Sequence, residues 1–297
     1  MRVALVGLGA MGSRHLRVLQ SCDKIQKIVT IDPTPAAKAD YLTVSMALTD
    51  SSYDFAVVAS PTISHEDCAS RFLRSGIPVL LEKPVAGNVA SAQRIALIAK
   101  ETSTKVAIGH IERFNPAIRA LMAELTENPL SVVLKRVSEY PDRIRDVGVA
   151  LDLSIHDIDL ARYITGANIT QINSVLQSNK NSCEDIAMYL LRLDNGGAVS
   201  IQTSWMSPRQ QRWAEVTTTS AVYEVDMLSQ KTSKYTNVDD CGYGVTSLYV
   251  KREDQLTSQL DAFINYLLTG EQKELCLLAD GIEALKIVED SLNESMH

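Results

Sequence analysis

The first third of the chain alternates short apolar runs with segments of helical periodicity. The runs end in glycine, serine-proline or charged residues, and we interpret them as strands at 3–6, 27–31, 55–59, 79–81 and 106–108. Continuous apolar runs of this kind are typical of strands buried on both faces of a parallel sheet. Helical segments lie between the runs, so the pattern predicts a doubly wound α/β domain.

The second half is dominated by strands that follow one another. They are predicted at 132–137, 172–176, 186–193, 198–205, 214–219 and 222–227, with a hairpin turn at 194–197. Helices are predicted at 116–125, 155–164, 254–268 and 279–292. Successive strands favour a mainly antiparallel open sheet in an α+β domain. We therefore expect two domains, an α/β domain over 1–115 and an α+β domain over 116–297.

Composition narrows the function. With 45% apolar and 22% charged residues, the 297-residue chain has the make-up of a globular enzyme. Its net charge of -7 argues against binding nucleic acid or an anionic membrane through the overall field. No apolar run approaches the roughly 20 residues that cross a bilayer. The cysteines form no C-x-x-C pair and indicate reduced thiols in a cytoplasmic protein; they are Cys22, Cys68, Cys183, Cys241 and Cys276.

A glycine-rich motif follows the first predicted strand and leads into a helix at 11–19. The segment Gly7-Leu8-Gly9-Ala10-Met11-Gly12 has the spacing G-x-G-x-x-G. Such glycines allow a tight turn and a close approach of the backbone to a pyrophosphate, whose charge the helix N-terminus stabilises. We expect this segment to bind a dinucleotide in a Rossmann fold, through Gly7, Gly9, Ala10, Met11 and Gly12.

Asp32 ends the second predicted strand, about 20 residues beyond Gly12. A carboxylate there can accept hydrogen bonds from the ribose hydroxyls of NAD and repels the 2′-phosphate of NADP. No basic residue follows before Lys38. We therefore expect NAD as the cofactor, with NADP less favoured. A solvated acid at a strand end is the alternative.

Two further strand ends carry polar residues. Ser60-Pro61-Thr62 follows the third predicted strand and Glu82-Lys83-Pro84 follows the fourth. Open α/β sheets bind ligands at the carboxyl ends of their strands, so both segments are candidates for cofactor contact. His65 begins the next helix. It either contacts the cofactor or is a helix-end residue without a ligand.

These motifs, taken in order, resemble the glucose–fructose oxidoreductase/inositol dehydrogenase (Gfo/Idh/MocA) family of oxidoreductases. Asp152-Leu153-Ser154-Ile155-His156 matches the D-x-x-x-H element of that family. The resemblance covers essentially the whole chain. It implies hydride transfer between a sugar-like hydroxyl and a dinucleotide, with Lys83, Asp152 and His156 as catalytic residues.

The chemistry of these side chains suits that reaction. A neutral histidine has an ordinary pKa near 6.5 and can take the hydroxyl proton, and a lysine ammonium stabilises developing alkoxide charge. On a helix Asp152 and His156 would share a face, so Asp152 could bond substrate or orient His156. Alternatively, Lys83 pairs with Glu82 on the surface and His156 is a core or capping residue. No downstream cluster completes a metal site with Asp152, His156 and Asp159, so no metal is expected.

Within the family, the segments 109–116 and 204–212 resemble the subgroup of UDP-N-acetylglucosamine 3-dehydrogenases, which commonly has glycine where this chain has Ser154. The resemblance implies a nucleotide-sugar substrate oxidised at C3, bound by Arg113, Asn115, Trp205 and Arg212. Arginines suit a diphosphate, although they could form ordinary surface ion pairs, and Trp205 could be sheet core. An inositol, another polyol or sugar is the rival substrate, and a non-catalytic NAD-binding regulatory protein is the rival class.

The strands at 186–193 and 198–205 carry apolar residues on both faces. A sheet face left bare would expose a large apolar patch, which is uncommon in monomers. We therefore expect a homodimer or a homotetramer that buries this face.

Overall fold

A computed structural model describes residues 1–141, 147–179, 183–238 and 242–294, and Cys241 lies outside these ranges. The chain divides into two compact units, one of 1–111 with 254–285 and one of 112–253 with 286–297. In chain order the described helices are α1 Ala10–Gln20, α2 Val44–Asp50, α3 His65–Arg74, α4 Val89–Glu101, α5 Pro116–Glu124, α6 Ile155–Thr165, α7 Gln255–Thr269 and α8 Leu278–Glu294. The described strands are β1 Arg2–Val6, β2 Lys27–Ile31, β3 Phe55–Val58, β4 Val79–Leu81, β5 Val106–Ile108, β6 Ser131–Val137, β7 Ile169–Gln177, β8 Ile186–Leu193, β9 Ala198–Ser204, β10 Gln211–Thr217, β11 Ala221–Asp226, β12 Lys231–Asn237, β13 Tyr243–Ser247 and β14 Cys276–Leu277.

The first unit is built on a six-stranded sheet in the order β14-β5-β4-β3-β1-β2. All neighbouring pairs are parallel except β14 with β5. Every residue of β3, β4 and β5 is buried. This confirms the doubly wound α/β prediction from continuous apolar runs. The strand order reverses between β1 and β3, the point where open α/β sheets bind their ligands.

The sequence assigned 254–268 to the second domain, whereas the compact packing groups it with the first unit. Helix α7 packs against α1, and Phe263 on α7 meets Phe55 on β3 edge to face at 5.5 Å between ring centroids. The division between the units falls within α8. A single domain boundary drawn along the sequence does not predict this packing, because α7 contacts elements that lie far from it in sequence.

The second unit is built on an eight-stranded sheet in the order β13-β12-β11-β10-β6-β9-β8-β7. Among the described strands of this second sheet, only β6 and β9 pair in parallel, so the mainly antiparallel prediction is confirmed. The predicted hairpin joins β8 and β9, and Gly196 within it has φ +87°. Helix α5 packs against β11 and β12, and α6 packs against β6 and β9.

The opposite face of this sheet exposes apolar side chains. Val175 on β7 lies opposite Met188 on β8, and these residues and Leu190 are 67%, 45% and 58% exposed. This is the face that the assembly prediction concerns, and assembly stays a prediction. No helix of the described residues is long and apolar enough to cross a membrane, and the four described cysteines are free thiols.

Candidate active site

The glycine motif forms the loop between β1 and α1. Gly7 has φ +87°, and a Cβ on it would lie 2.7 Å from Ala59 O at the end of β3. A Cβ on Gly12 would overlap Gly7 O, while Gly9 faces open space. Side chains at Gly7 and Gly12 are therefore excluded by backbone, and the loop surface at Gly9 is clear for a ligand.

The N-terminus of α1 is suited to an anion. Gly9 is its N-cap, so no side chain occupies the first N–H groups, and no acidic residue lies in the first turn. The first N–H groups of a helix have no partner within the helix, and their dipoles favour negative charge. Ala10 and Met11 supply this first turn. These residues fit the pyrophosphate of a dinucleotide.

Asp32 follows β2 and faces the same loop. Its Oδ2 accepts from the Leu8 N–H at 2.8 Å, and its Oδ1 accepts from the Thr34 N–H at 2.8 Å. Burial alone would raise the pKa of Asp32, but the bonds from Leu8 and Thr34 outweigh it and hold the pKa below its ordinary value. The group is an anion beside the glycine loop.

His65 lies between the segments that follow β3 and β4. Its Nδ1 lies 2.8 Å from Pro84 O and its Nε2 lies 2.9 Å from Ser60 O. His65 is 1% exposed, and burial lowers its pKa although the two carbonyl oxygens oppose that shift. Pro61 precedes a short 3-10 turn that starts at Thr62. Both ring nitrogens of His65 therefore face backbone carbonyls within this unit.

Glu82 is engaged inside the same unit. Its Oε1 accepts from His15 Nε2 at 2.7 Å, and its Oε2 accepts from the Lys83 N–H at 3.2 Å. Burial alone would raise the pKa of Glu82, but the bond from His15 and the charges of His15 and Lys83 hold it below its ordinary value. The carboxylate is thus a buried anion directed at His15.

Asp152 and His156 lie on one helical segment of the second unit, but not on one regular α-helix. Asp152 is in a π-helical turn, Ala150–Ser154, and His156 is in the first turn of α6. The prediction that the two share a helical face stays a prediction, and the backbone that joins them begins with a π turn rather than a regular α-helix. Such turns occur frequently at functional sites.

Ser154 points away from solvent. Its side chain is fully buried, and its Oγ lies 2.5 Å from Thr203 Oγ1 on β9. The hydroxyl that distinguishes this chain from the resembled subgroup therefore fastens the π turn to the sheet. The turn is also held at its start, where Glu184 Oε1 accepts from the Ala150 N–H at 3.0 Å.

Buried ion pairs also fasten α6, through its residues Asp157 and Asp159. Arg136 on β6 donates to Asp157 and, at 2.8 Å, to Glu112 Oε1. Burial disfavours the charge of Arg136, but Asp157 and Glu112 outweigh it and raise the pKa of the guanidinium. Burial raises the pKa of Asp157 although Arg136 opposes it. Arg113 likewise forks onto Asp159, with bonds of 2.9 and 2.6 Å.

The four residues predicted to bind substrate differ in how exposed their side chains are and in how many hydrogen bonds they make within the protein. Arg113 is 5% exposed, and Asn115 caps α5 while its Nδ2 donates to Glu112 and Met227 O. Trp205 is 2% exposed and packs edge to face on Tyr140. The Arg212 side chain is 36% exposed, with one bond to Glu112 Oε1 at 3.0 Å. Of the four, Arg212 is the side chain that reaches solvent.

Sequence reasoning missed His15, Glu112, Arg136 and Asp157. A signal existed for His15, since it shares the buried stripe of α1 with Gly12, Val18 and Leu19 at helical spacing. A polar residue on an apolar stripe indicates a buried partner. The other three carry no comparable local signal, because their partners are distant in the chain.

Two family descriptions match the chain. Residues 1–110 match the oxidoreductase family with an NAD-binding Rossmann fold, and residues 117–224 match the GFO/IDH/MocA C-terminal domain. The chain belongs to the Gfo/Idh/MocA family and is an oxidoreductase with a dinucleotide-binding domain. Its relatives are named dehydrogenases, so the finding favours an enzyme over the rival class of non-catalytic regulatory protein.

Individual relatives are distant. UDP-N-acetylglucosamine 3-dehydrogenase from Acidithiobacillus ferrooxidans is 23% identical, covering 98% of this chain and 95% of the relative. scyllo-Inositol 2-dehydrogenase (NAD(+)) from Bacillus subtilis is 24% identical over 70% of this chain and 68% of its own. The crystallised UDP-N-acetylglucosamine 3-dehydrogenase GnnA from Acidithiobacillus ferrooxidans superposes with a TM-score of 0.90 at 22% identity, covering 100% and 99% of the two chains. That structural likeness establishes the fold.

Proposed function

We propose that the chain oxidises a secondary hydroxyl of a nucleotide sugar with NAD, and that the substrate is UDP-N-acetylglucosamine, oxidised at C3 to a 3-keto sugar. The observation that carries the proposal is its near full-length likeness to a UDP-N-acetylglucosamine 3-dehydrogenase. The inositol dehydrogenase covers 70% of this chain. An inositol or another polyol or sugar is therefore the rival substrate.

Each candidate side chain has one task in the proposed reaction. NAD, when bound, supplies the acceptor for the hydride from the carbinol carbon. The imidazole of His156 takes the hydroxyl proton, as a group with an ordinary pKa near working pH can. The Lys83 ammonium stabilises the developing alkoxide charge. Asp152 bonds the substrate or orients His156.

Cofactor contacts are proposed for the strand ends of the first unit. The clear surface at Gly9 and the uncapped start of α1 support pyrophosphate binding there. The anionic Asp32 supports NAD over NADP. Ser60, Pro61, Thr62 and Lys83 stay in the proposed set, whereas the inward bonds of His65 and Glu82 support an indirect role for those two.

Arg212 is the proposed contact for the diphosphate. The surrounding charges cancel, because Arg136 and Arg212 face Glu112 and Asp157. A partly exposed guanidinium can still donate to phosphate with its remaining N–H groups. The internal bonds of Arg113 and Asn115 and the burial of Trp205 support positioning of this region instead.

A substrate panel tests the proposal. NADH absorbance is followed with NAD and, in turn, UDP-N-acetylglucosamine, free N-acetylglucosamine and myo-inositol, with an aminotransferase trapping the ketone. We expect the UDP-sugar to give a kcat/KM at least ~10-fold above the others, since the loss of ion-pair and phosphate bonds costs more than about 1.4 kcal/mol.

Arg212→Ala should raise KM for the UDP-sugar and leave turnover of free sugars unchanged. Arg252→Ala, which removes an exposed arginine from the same unit, is the matched control and should change neither. Turnover of myo-inositol or a free sugar well above that of every UDP-sugar would reject the substrate and leave the dehydrogenase assignment standing.

A further inference from the structure

Lys83 lies between two residues that buried histidines of the same unit hold. Before it, Glu82 accepts from His15 at 2.7 Å, and after it, Pro84 O lies 2.8 Å from His65 Nδ1. His15 is 4% and His65 is 1% exposed. The two histidines come from different helices, α1 and α3. The lysine is thus flanked on both sides by fixed points.

We propose that His15 and His65 are positioning residues for Lys83. In this proposal His15 holds Glu82, and Glu82 holds Lys83 in place rather than touching the cofactor. This rests on the proposed function of Lys83 in catalysis. His15 lies on the helix that begins at the glycine loop, so the His15–Glu82 bond links the phosphate-binding helix to Lys83. The other ring nitrogen of His65, Nε2, lies 2.9 Å from Ser60 O at the end of β3.

The carboxylate of Glu82 has little room for another role. Its two oxygens are taken by His15 and by the Lys83 N–H. Gly109 approaches so closely that a Cβ there would lie 2.7 Å from Oε2. Glu82 is 8% exposed. A buried anion bonded on both oxygens fixes its neighbours, because leaving either charge unpaired is costly.

The kinetic test is a double-mutant cycle that compares variants of the full-length chain with wild type. His15→Ala, Glu82→Ala and the double variant are compared in kcat, KM and the Kd for NAD. Each single variant should lower kcat by ~10- to 100-fold, since a displacement of about 1 Å can cost about 100-fold. The double variant should fall no further than the worse single one, because coupled residues are not additive. The Kd for NAD should stay within ~3-fold, about 0.65 kcal/mol.

Conservative and control variants separate positioning from general damage. His15→Gln keeps a side-chain N–H donor and should recover part of the kcat that His15→Ala loses. Glu66→Gln breaks an exposed ion pair with Arg94 in the same unit and should change nothing.

A second arm needs no sugar. Hydrogen exchange of the NAD-bound protein should speed up in 82–87 for His15→Ala and Glu82→Ala, with the rest of the first unit unchanged and no change in Glu66→Gln. If this pattern appears while no sugar turns over in wild type, the proposed function fails and the positioning stands.

Three results would overturn the positioning itself. One is a kcat within ~2-fold of wild type, less than about 0.5 kcal/mol, together with unchanged exchange in 82–87. Another is exchange that rises across the whole unit, which marks a core role. The third is a Kd for NAD that rises at least ~10-fold in Glu82→Ala but not in His15→Ala, which marks Glu82 as a direct cofactor ligand.

Discussion

Asp32 both stabilises the glycine loop and places a negative charge beside it. Its oxygens accept the N–H groups of Leu8 and Thr34, so it shapes the glycine loop from the end of β2. The same bonds keep it ionised, which places a negative charge beside the loop. A negative charge there opposes the 2′-phosphate of NADP.

Asp32→Asn should therefore weaken the preference for NAD over NADP by ~10-fold or more, about 1.4 kcal/mol, because it removes the charge and keeps an oxygen that can accept from Leu8. Fluorescence titration with NADH and NADPH measures the ratio of the two Kd values. Asp40→Asn is the control, since it removes one exposed charge that bonds Thr30 in the same unit. A wild type that binds NADPH as tightly as NADH would contradict the role of Asp32.

Residue by residue, the sequence predicted motifs better than contacts. The glycine motif was predicted because its residue types and spacing carry chemistry locally, whereas the role of Lys83 came from the family resemblance and stays a prediction. His15 and Glu82 are 67 positions apart, and the sequence around either residue does not indicate that the other is its partner. Buried ion pairs are properties of the folded chain, so Arg136 with Asp157 was equally hidden.

At the scale of elements, buried runs gave the clearest predictions. The runs at 3–6 and 55–59 became β1 and β3 because continuous apolar strands fit a doubly covered sheet. Strands β12 and β13 were not predicted, since 231–237 is mostly polar and β13 has no buried residue. Strand β13 lies at the edge of the sheet, and an edge strand need not bury a face, so the hydrophobic pattern does not mark it. Strand β12 lies inside the sheet, but only Thr232 of its residues is buried, so it shows no apolar alternation.

Helix α6 is the element on which the account of His156 depends. The Ser154–Thr203 bond, the Arg136–Asp157 pair and the Arg113–Asp159 pair fasten it and its π turn within the second unit. Both ion pairs are almost fully buried. Their removal should therefore cost more than the removal of a surface pair.

Asp157→Ala should lower the free energy of unfolding by about 3–5 kcal/mol, because it leaves Arg136 and Arg212 sharing Glu112 in a buried site. Urea titration followed by far-UV circular dichroism measures it. Glu66→Ala removes the exposed Arg94 pair and should cost at most ~1 kcal/mol. A loss in Asp157→Ala as small as that of the control would show that α6 does not depend on this pair.

At the scale of the whole molecule, the sequence predicted both architectures, because each half has its own hydrophobic period. It did not predict that 254–285 returns to the first unit, since helical periodicity shows which face is buried but not against what. The exposed apolar side chains of β7 and β8 form the sheet face that we expect a homodimer or a homotetramer to bury.

The proposed mechanism depends on two side chains while NAD would accept the hydride: His156 would take the proton of the sugar hydroxyl, and Lys83 would stabilise the alkoxide charge. The direct measurement is steady-state NADH formation by wild type, Lys83→Ala and His156→Ala on the best substrate of the panel, with NAD binding measured in parallel. Each variant should lose turnover by about 10²-fold or more, the scale of a general acid–base group, while it binds NAD and stays folded. Near-normal turnover in either folded variant would contradict the claim and remove that residue from the mechanism.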